Sequence, residues 1–154
     1  MKRVEVKLSL PAVAPLLDLI KATVDSLAGR LAAPQHLHDL DEELRAAWQG
    51  ELLGGQNEDC QRFLALFDRE FFASGTVGFD EANAEAVLRA CAAVRLRLRE
   101  RELAGLPDEA IESGTVEPAH LGEPAAKAFL GYIFLATLQE LIIEHLDSAI
   151  LEGP

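Results

Sequence analysis

The sequence predicts an all-α fold: a bundle of roughly five helices in a single domain, residues 1–154. Apolar residues recur every three or four positions along several segments, which is the spacing of an amphipathic helix. A chain of 154 residues has the usual length of one domain, and a content of 49% hydrophobic and 26% charged residues is typical of globular proteins. A small two-stranded β element, residues 4–8 with 76–79, is expected beside the helices.

The beginning of the chain predicts a strand followed by a helix. Apolar and polar residues alternate from Val4 to Leu10, as in a half-buried strand, and Pro11 ends the pattern. The first helix then continues to Gly29, with Pro15 in its first turn, where a missing amide hydrogen costs little. Because a lone strand leaves its backbone groups unpaired, we expect residues 77–79 to pair with it.

Two helices are predicted between residues 40 and 75. The second helix has large apolar side chains four residues apart, at Leu40, Leu44, Trp48 and Leu52. Gly54-Gly55 marks a break or kink after them. The third helix, from Cys60 to Phe71, carries an aromatic stripe, and Gly75 ends it.

The second half of the chain predicts two long helices separated by an acidic loop. Asp80 is a suitable N-cap for the fourth helix, which runs from Glu81 to about Leu103. Residues 104–123 are rich in acidic residues, glycine and proline, a composition typical of a loop. The fifth helix is expected from about Pro124 to Leu151.

The segment Phe129–Leu135 of the fifth helix is apolar on every face. A helix with this pattern belongs in the middle of a fold, so we expect the other helices to surround it. The longest apolar stretch, residues 128–138, is shorter than the ~20 residues that a bilayer span needs. No association with a membrane is predicted.

The charge of the chain argues against several classes of partner. The net charge is −12, with acidic residues concentrated in residues 31–80 and 104–154. Such a surface repels phosphate groups, so no nucleic-acid partner is expected, and an RNA-binding helical domain is disfavoured. Cys60 and Cys91 fall on apolar stripes and no secretory signal precedes the first strand, which together predict buried thiols and a cytoplasmic location.

No group of residues has the spacing of a known catalytic, cofactor or metal motif, so no such site is predicted. His36 and His38 flank one residue of a loop without a third ligand, and surface histidines are the simpler interpretation. Glu140 and the pair Glu144-His145 lack the spacing of a di-iron or zinc-hydrolase motif. The sequence has no G-x-S-x-G motif.

Arginines are concentrated on the fourth helix, at positions 89, 95, 97, 99 and 101. Arginines two residues apart point around a helix, so they form no continuous phosphate-binding stripe. We expect them to pair with acids of the second helix or of the acidic loop. Arg95 lies among apolar residues, and its head group needs a carboxylate or carbonyl partner.

Motifs on three of the predicted helices carry a family resemblance. They are Asp41-Glu42-Glu43-Leu44-Arg45-x-x-Trp48, Leu88-Arg89-Ala90 with Arg95-Leu96, and Tyr132-x-x-Leu135-x-x-Leu138-Gln139-Glu140. Over most of its length the chain resembles an uncharacterised bacterial all-helical family, a domain of unknown function. Genes of this family often lie beside that of a small adaptor of the Clp protease, which implies a link to regulated proteolysis. Members typically carry an Asn-Asp pair where this chain has Ala92-Ala93, so a function that depends on the pair would be missing here.

Two functions remain open from the sequence. A well-formed core without a reactive cluster favours a non-catalytic protein-interaction or regulatory module with an unknown protein partner. A homodimer through the stripe of Phe67, Phe71 and Phe72 is one form of it. The alternative is a small-molecule or metal-dependent enzyme with its site between the fourth and fifth helices. The candidate functional cluster for such a site is Arg89, Arg95, Tyr132, Gln139 and Glu140.

Overall fold

The computed structural model describes residues 3–32, 41–113 and 115–146. In chain order these residues form β1 Arg3–Lys7, α1 Leu10–Ser26, α2 Glu42–Ala65, α3 Arg69–Ser74, β2 Thr76–Asp80, α4 Ala84–Glu100, α5 Asp108–Ser113, a 3-10 turn Pro118–His120, and α6 Glu123–His145. The mostly helical fold predicted from the sequence is confirmed, and so is the small two-stranded sheet.

The sheet joins the start of the chain to the segment between α3 and α4. β1 and β2 are antiparallel, with Val4 opposite Phe79 and Val6 opposite Val77. Phe79 and Val77 are buried, so one face of the ribbon packs on the helices while the other meets solvent. The pairing that the lone strand required is therefore present.

α4 is the central helix of the described residues. It packs against α2 on one side and α6 on the other, and α1 contacts both α4 and α6. Four of its buried residues are alanines, whose small side chains allow neighbouring helices to approach closely. Large side chains from the other helices close the core around it, among them Ile20, Phe63, Phe71, Leu135, Leu138 and Ile142.

The expectation that Phe129–Leu135 is surrounded on all sides is wrong. Phe129, Gly131 and Leu135 are buried against α1 and α4, whereas Leu130 and Ile133 are exposed. When every face of a helix is apolar, the sequence does not indicate which face will pack against other helices. In α6 the face that carries Leu130 and Ile133 remains exposed. The helix is longer than its uninterrupted apolar stretch, and by length and composition alone α6 could cross a membrane. The core helix of a soluble protein meets the same criteria.

α2 is one continuous helix, not two helices separated at Gly54-Gly55. The Asp41 carboxylate accepts a hydrogen bond from the backbone N–H of Leu44 at 2.9 Å and caps the helix. The helix passes through both glycines to Ala65 because glycine weakens a helix without forbidding it. The second predicted helix therefore merges with most of the third. The separate α3 begins after Asp68, which accepts from the N–H of Phe71.

Several boundaries also differ from the predicted ones. Pro15 lies in the second turn of α1, since that helix begins at Leu10. Asp80 ends β2 and caps the turn before α4, accepting from the N–H of Ala82 at 2.9 Å. The predicted acidic loop contains α5 and the 3-10 turn. α6 begins at Glu123 and ends at His145. Residues 147–151 of the predicted continuation to Leu151 lie outside the described residues.

Two glycines should respond in opposite directions to substitution by alanine. A Cβ at Gly54 meets nothing within 4 Å, so Gly54→Ala should raise the free energy of unfolding by about 0.5–1 kcal/mol through better helix propensity. Gly75 has φ +76° and a Cβ there would lie 2.9 Å from the Leu8 carbonyl oxygen, so Gly75→Ala should lower it by about 1–3 kcal/mol. Urea denaturation followed by circular dichroism measures both. A loss of stability in Gly54→Ala would contradict the continuous α2.

Candidate functional site

Arg95 forms a hydrogen-bonded cross-link between α4 and α6. Its Nη1 donates to Gln139 Oε1 at 2.6 Å, and its Nη2 donates to Tyr132 Oη at 3.0 Å. The guanidinium carbon lies 4.5 Å from the centroid of the Tyr132 ring. Gln139 Nε2 in turn donates to the Leu88 carbonyl oxygen at 3.0 Å. The carbonyl partner expected for Arg95 is the side-chain amide of Gln139.

The predicted cluster of five residues does not come together. Tyr132 and Gln139 bond to Arg95, but Glu140 is exposed on α6. Arg89 forms a bidentate pair with Asp59 of α2, at 2.8 and 3.0 Å. The cross-link uses the two terminal nitrogens of the guanidinium, whereas Arg95 Nε is buried without a hydrogen-bond partner among the described residues.

Two of the other four arginines, Arg89 and Arg99, pair as expected, while Arg101 lies 3.9 Å from its neighbour Glu102. Arg89 takes its partner from α2, and Arg99 pairs with Asp108 in the segment predicted as an acidic loop. Arg99 also donates to the carbonyl oxygens of Leu103 and Leu106, at 2.6 and 2.8 Å. Arg97 donates instead to Ser26 Oγ at 3.2 Å and pairs with Glu100. These arginines therefore stabilise the chain around α4.

The two thiols are buried, and burial raises the pKa of each. Burial raises the pKa of Cys60 to about 11, and the negative charge of Asp59 adds to the effect. Burial raises the pKa of Cys91 to about 12, against the opposing positive charge of Arg95. A nucleophilic cysteine needs a lowered pKa. Both thiols are free, and their environments disfavour the thiolate.

Metal ligands do not converge within residues 3–32, 41–113 and 115–146. No group of three His, Cys, Asp or Glu side chains in these ranges could hold an ion. His36 and His38 lie outside the described residues. His145 Nε2 is 3.9 Å from Glu144 Oε2, and both side chains are exposed.

A cleft of about 410 Å³ lies between α2 and α4. Its lining comprises Leu31, Ala32, Glu51, Leu52, Gly55, Gln56, Asp59, Arg89, Ala92, Ala93 and Leu96. The pair Asp59–Arg89 closes one end. Gln56 fixes the wall that follows α1: its Nε2 donates to the carbonyl oxygens of Leu27 and Arg30, and its Oε1 accepts from the N–H of Ala32 at 2.9 Å.

Small residues make the cleft deep. Ala32, Gly55, Ala92 and Ala93 contribute little side-chain volume where α2, α4 and the end of α1 meet. The alanine pair stands where the family resemblance leads one to expect Asn and Asp. The walls are mostly apolar, so the cleft suits an apolar side chain better than a charged ligand.

The apolar stripe of α2 continues from the cleft along an exposed half-helix. Leu44, Trp48 and Leu52 are 56%, 48% and 36% exposed. Between residues 42 and 55 only Arg45 and Leu53 are even half-buried. The sequence pattern identified this stripe but did not predict its exposure. The clue to its exposure was the glycine content, since Gly50, Gly54 and Gly55 give neighbouring helices few side chains to pack against.

Of the aromatic stripe offered as a dimer surface, Phe71 is buried, Phe67 is half-buried and Phe72 is exposed. Phe63 and Phe71 are buried, and edge-to-face contacts connect Phe63, Phe67, Phe71 and Phe72 in sequence, with ring centroids 5.1–5.3 Å apart. Phe72 is the exposed member. The stripe stabilises the junction of α2 and α3.

Fold and surface together define a mostly helical domain with a structural arginine cross-link and an open apolar cleft on one flank. The chain belongs to the family described as Domain of unknown function (DUF2017), whose model matches residues 7–146. No curated protein matches the chain, and no solved structure does. Membership in an uncharacterised domain family is thus confirmed, while the bacterial origin and the neighbouring Clp adaptor gene stay predictions.

Replacing Arg95 should destabilise the fold more than replacing Arg89. Arg95→Met keeps much of the stem but leaves Tyr132 and Gln139 without their partner, so the free energy of unfolding should fall by about 1–3 kcal/mol. Arg89→Met removes a more exposed pair and should cost less than about 1 kcal/mol. Equal losses in urea denaturation would contradict the assignment of the cross-link.

The thiols should be protected until the chain unfolds. A pKa of about 11 instead of 9.0 leaves Cys60 with about a hundredfold less thiolate at pH 8, and Cys91, at about 12, with still less. Reaction with a disulfide reagent should therefore be slow in the native chain and fast for both cysteines in urea. Both pKa values are higher in the folded chain than in the unfolded one. The neutral thiols therefore make their full contribution to the free energy of unfolding below pH 9, and this contribution declines as pH rises through about 9–12. A rapidly labelled thiol in the native chain would disprove this protection.

Proposed function

We propose that the chain is a non-catalytic protein-interaction module that works in the cytoplasm and contributes to regulated proteolysis. The observation that carries the proposal is the exposed apolar surface formed by Leu44, Trp48 and Leu52, together with the adjoining cleft. We call this the α2 surface. Exposed apolar patches of this kind mark binding sites for other molecules. The role in proteolysis rests on the family resemblance.

The composition of the α2 surface supports a protein partner. Tryptophan is enriched at the centres of protein interfaces because its large ring buries much area with few rotatable bonds. Trp48 is the single tryptophan of the chain, and it stands between two exposed leucines. The side chains of this surface contain no nucleophile and no evident acid–base pair.

The enzyme alternative has weaker support. Its core residues, Arg95, Tyr132 and Gln139, hydrogen-bond to one another between α4 and α6. Arg89 and Glu140, the other members of the cluster, lie apart from them. A homodimer remains a prediction, with Phe72 as the exposed remnant of the surface first suggested for it.

The proposal predicts a partner whose binding depends on Leu52. Affinity capture from extract of the source cells, quantified by mass spectrometry, should retain a protein with the native chain and lose it with Leu52→Asp, because a carboxylate in the apolar contact would be desolvated. Leu130→Asp, an equal change on the exposed face of α6, is the matched control and should retain the partner.

Circular dichroism should show that both variants keep the native helix content, since both leucines are exposed. The native chain on its own should show the fluorescence of a water-exposed tryptophan. If every captured protein binds the Leu52→Asp variant as well as the native chain, the α2 surface is not an interaction site.

A further inference from the structure

We infer that the occupant of the α2 surface is an amphipathic helix of a partner protein, with a bulky apolar anchor and basic flanking residues. This inference rests on the proposed interaction function and specifies its partner class. Three features of the described residues support it: the shape of the gap between α2 and α4, the small residues at its floor, and the charge along its rim.

The exposed part of α2 is long enough to bind a second helix. The ion pair Asp59–Arg89 joins α2 to α4, and Leu52 and Leu96 both line the cleft between these helices. Both leucines are exposed, at 36% and 47%, so α2 and α4 leave this apolar part of the cleft uncovered. The exposed part of α2, residues 42–55, is about 20 Å long at 1.5 Å per residue. A guest helix of about 14 residues matches that length.

The floor of the groove calls for a large side chain. Ala92, Ala93 and Gly55 leave a recess of about 410 Å³ at the end of the groove nearest Asp59. A second hollow, lined by Leu44, Ala47, Trp48 and Glu51, lies farther along the same helix. Glu51 borders both, so the two recesses are parts of one surface. A guest with apolar residues one and two turns apart would fill them in succession.

The rim is acidic. Residues 41–53 contain four acids, Asp41, Glu42, Glu43 and Glu51, and one cation, Arg45. Glu51 is exposed and stands next to the apolar contacts. Complementary charge favours lysine or arginine beside the anchors of the guest. A second copy would bring the same acids against this rim if it paired through α2, and like charges oppose that arrangement.

The guest would also stabilise α2. Gly50, Gly54 and Gly55 each weaken the helix relative to alanine, and the exposed half has few described neighbours to compensate. Packing of a second helix along Leu44, Trp48 and Leu52 supplies the missing tertiary contacts. Binding should therefore increase protection of the amides of residues 44–55 from hydrogen exchange.

A peptide selection tests the chemistry of the guest directly. A display library of 14-residue helical peptides is selected on the full chain and counter-selected on Leu52→Asp. The expected survivors carry apolar residues three or four positions apart and an excess of lysine and arginine. If the surviving peptides are acidic or uncharged, the guest is not a basic helix. If peptides bind Leu52→Asp as well as the native chain, the α2 surface is not their binding site.

Affinity measurements with one selected peptide then test the rim. Trp48 fluorescence reports binding, because it is the single tryptophan and lies in the groove. Glu51→Lys should weaken binding roughly tenfold at low salt, with a smaller loss at high salt. Glu144→Lys makes the same charge change on the exposed face of α6 and should leave the affinity unchanged. Equal affinities in the two variants would contradict the charge argument.

The same probe separates the failure of this inference from that of the proposed function. If the Trp48 emission of the chain alone shifts to the blue with rising chain concentration, the occupant is a second copy and the basic guest is wrong. If the emission is already that of a buried indole in the dilute monomer, the chain covers its own surface and both proposals fail. A Leu52-dependent protein partner without a basic helix would preserve the function and remove only the guest.

Discussion

The packing of α4 between two long helices is the constraint on which the rest of the fold depends. α2 and α6 both pack on α4, so any change in the position of α4 must move both neighbours. Its alanines permit close approach, and Val87, Val94 and Leu98 fill the remaining space. The sheet, α1 and the cleft acquire their positions relative to this helix. The central helix is thus defined by small and medium side chains rather than by the most apolar segment of the chain.

Charged residues are compatible with such a central helix because most of their side chains extend from its edges toward neighbouring elements. Arg89 and Arg99 reach acids on neighbouring elements, and Arg95 directs its guanidinium to a phenol and an amide. The hydrogen bonds of Arg95 fix the relative position of α4 and α6 in a way that apolar packing alone would leave less specific. The third guanidinium nitrogen, Nε, is buried without a hydrogen-bond partner among the described residues, so the cross-link leaves one donor of Arg95 unused.

Local sequence patterns predicted the helices and strands of this chain better than they predicted which faces would be buried. The alternation at Val4–Leu10 and the helical spacing of the long segments identified the sheet and the principal helices. Arg95 was expected to need a carboxylate or carbonyl partner, and it donates to the amide oxygen of Gln139. The pattern could not say which apolar faces would find neighbours, because that depends on tertiary contacts between distant segments. For this reason Phe129–Leu135 was expected to be central, and the exposure of Leu44, Trp48 and Leu52 was not predicted. The sequence pattern did not predict the cleft either, because the cleft results from the small side-chain volume at Gly55 and Ala92.

The side chain of Gln56 connects the middle of α2 to the backbone that follows α1. With its three bonds to the backbone around the end of α1, the helix beyond it cannot shift without exposing unsatisfied polar groups. The turns before Gln56 contain the glycines. Loss of the Gln56 amide would leave one backbone N–H and two carbonyl groups of residues 27–32 without these bonds. Because Leu31 and Ala32 line the cleft, the same loss would loosen that side of it.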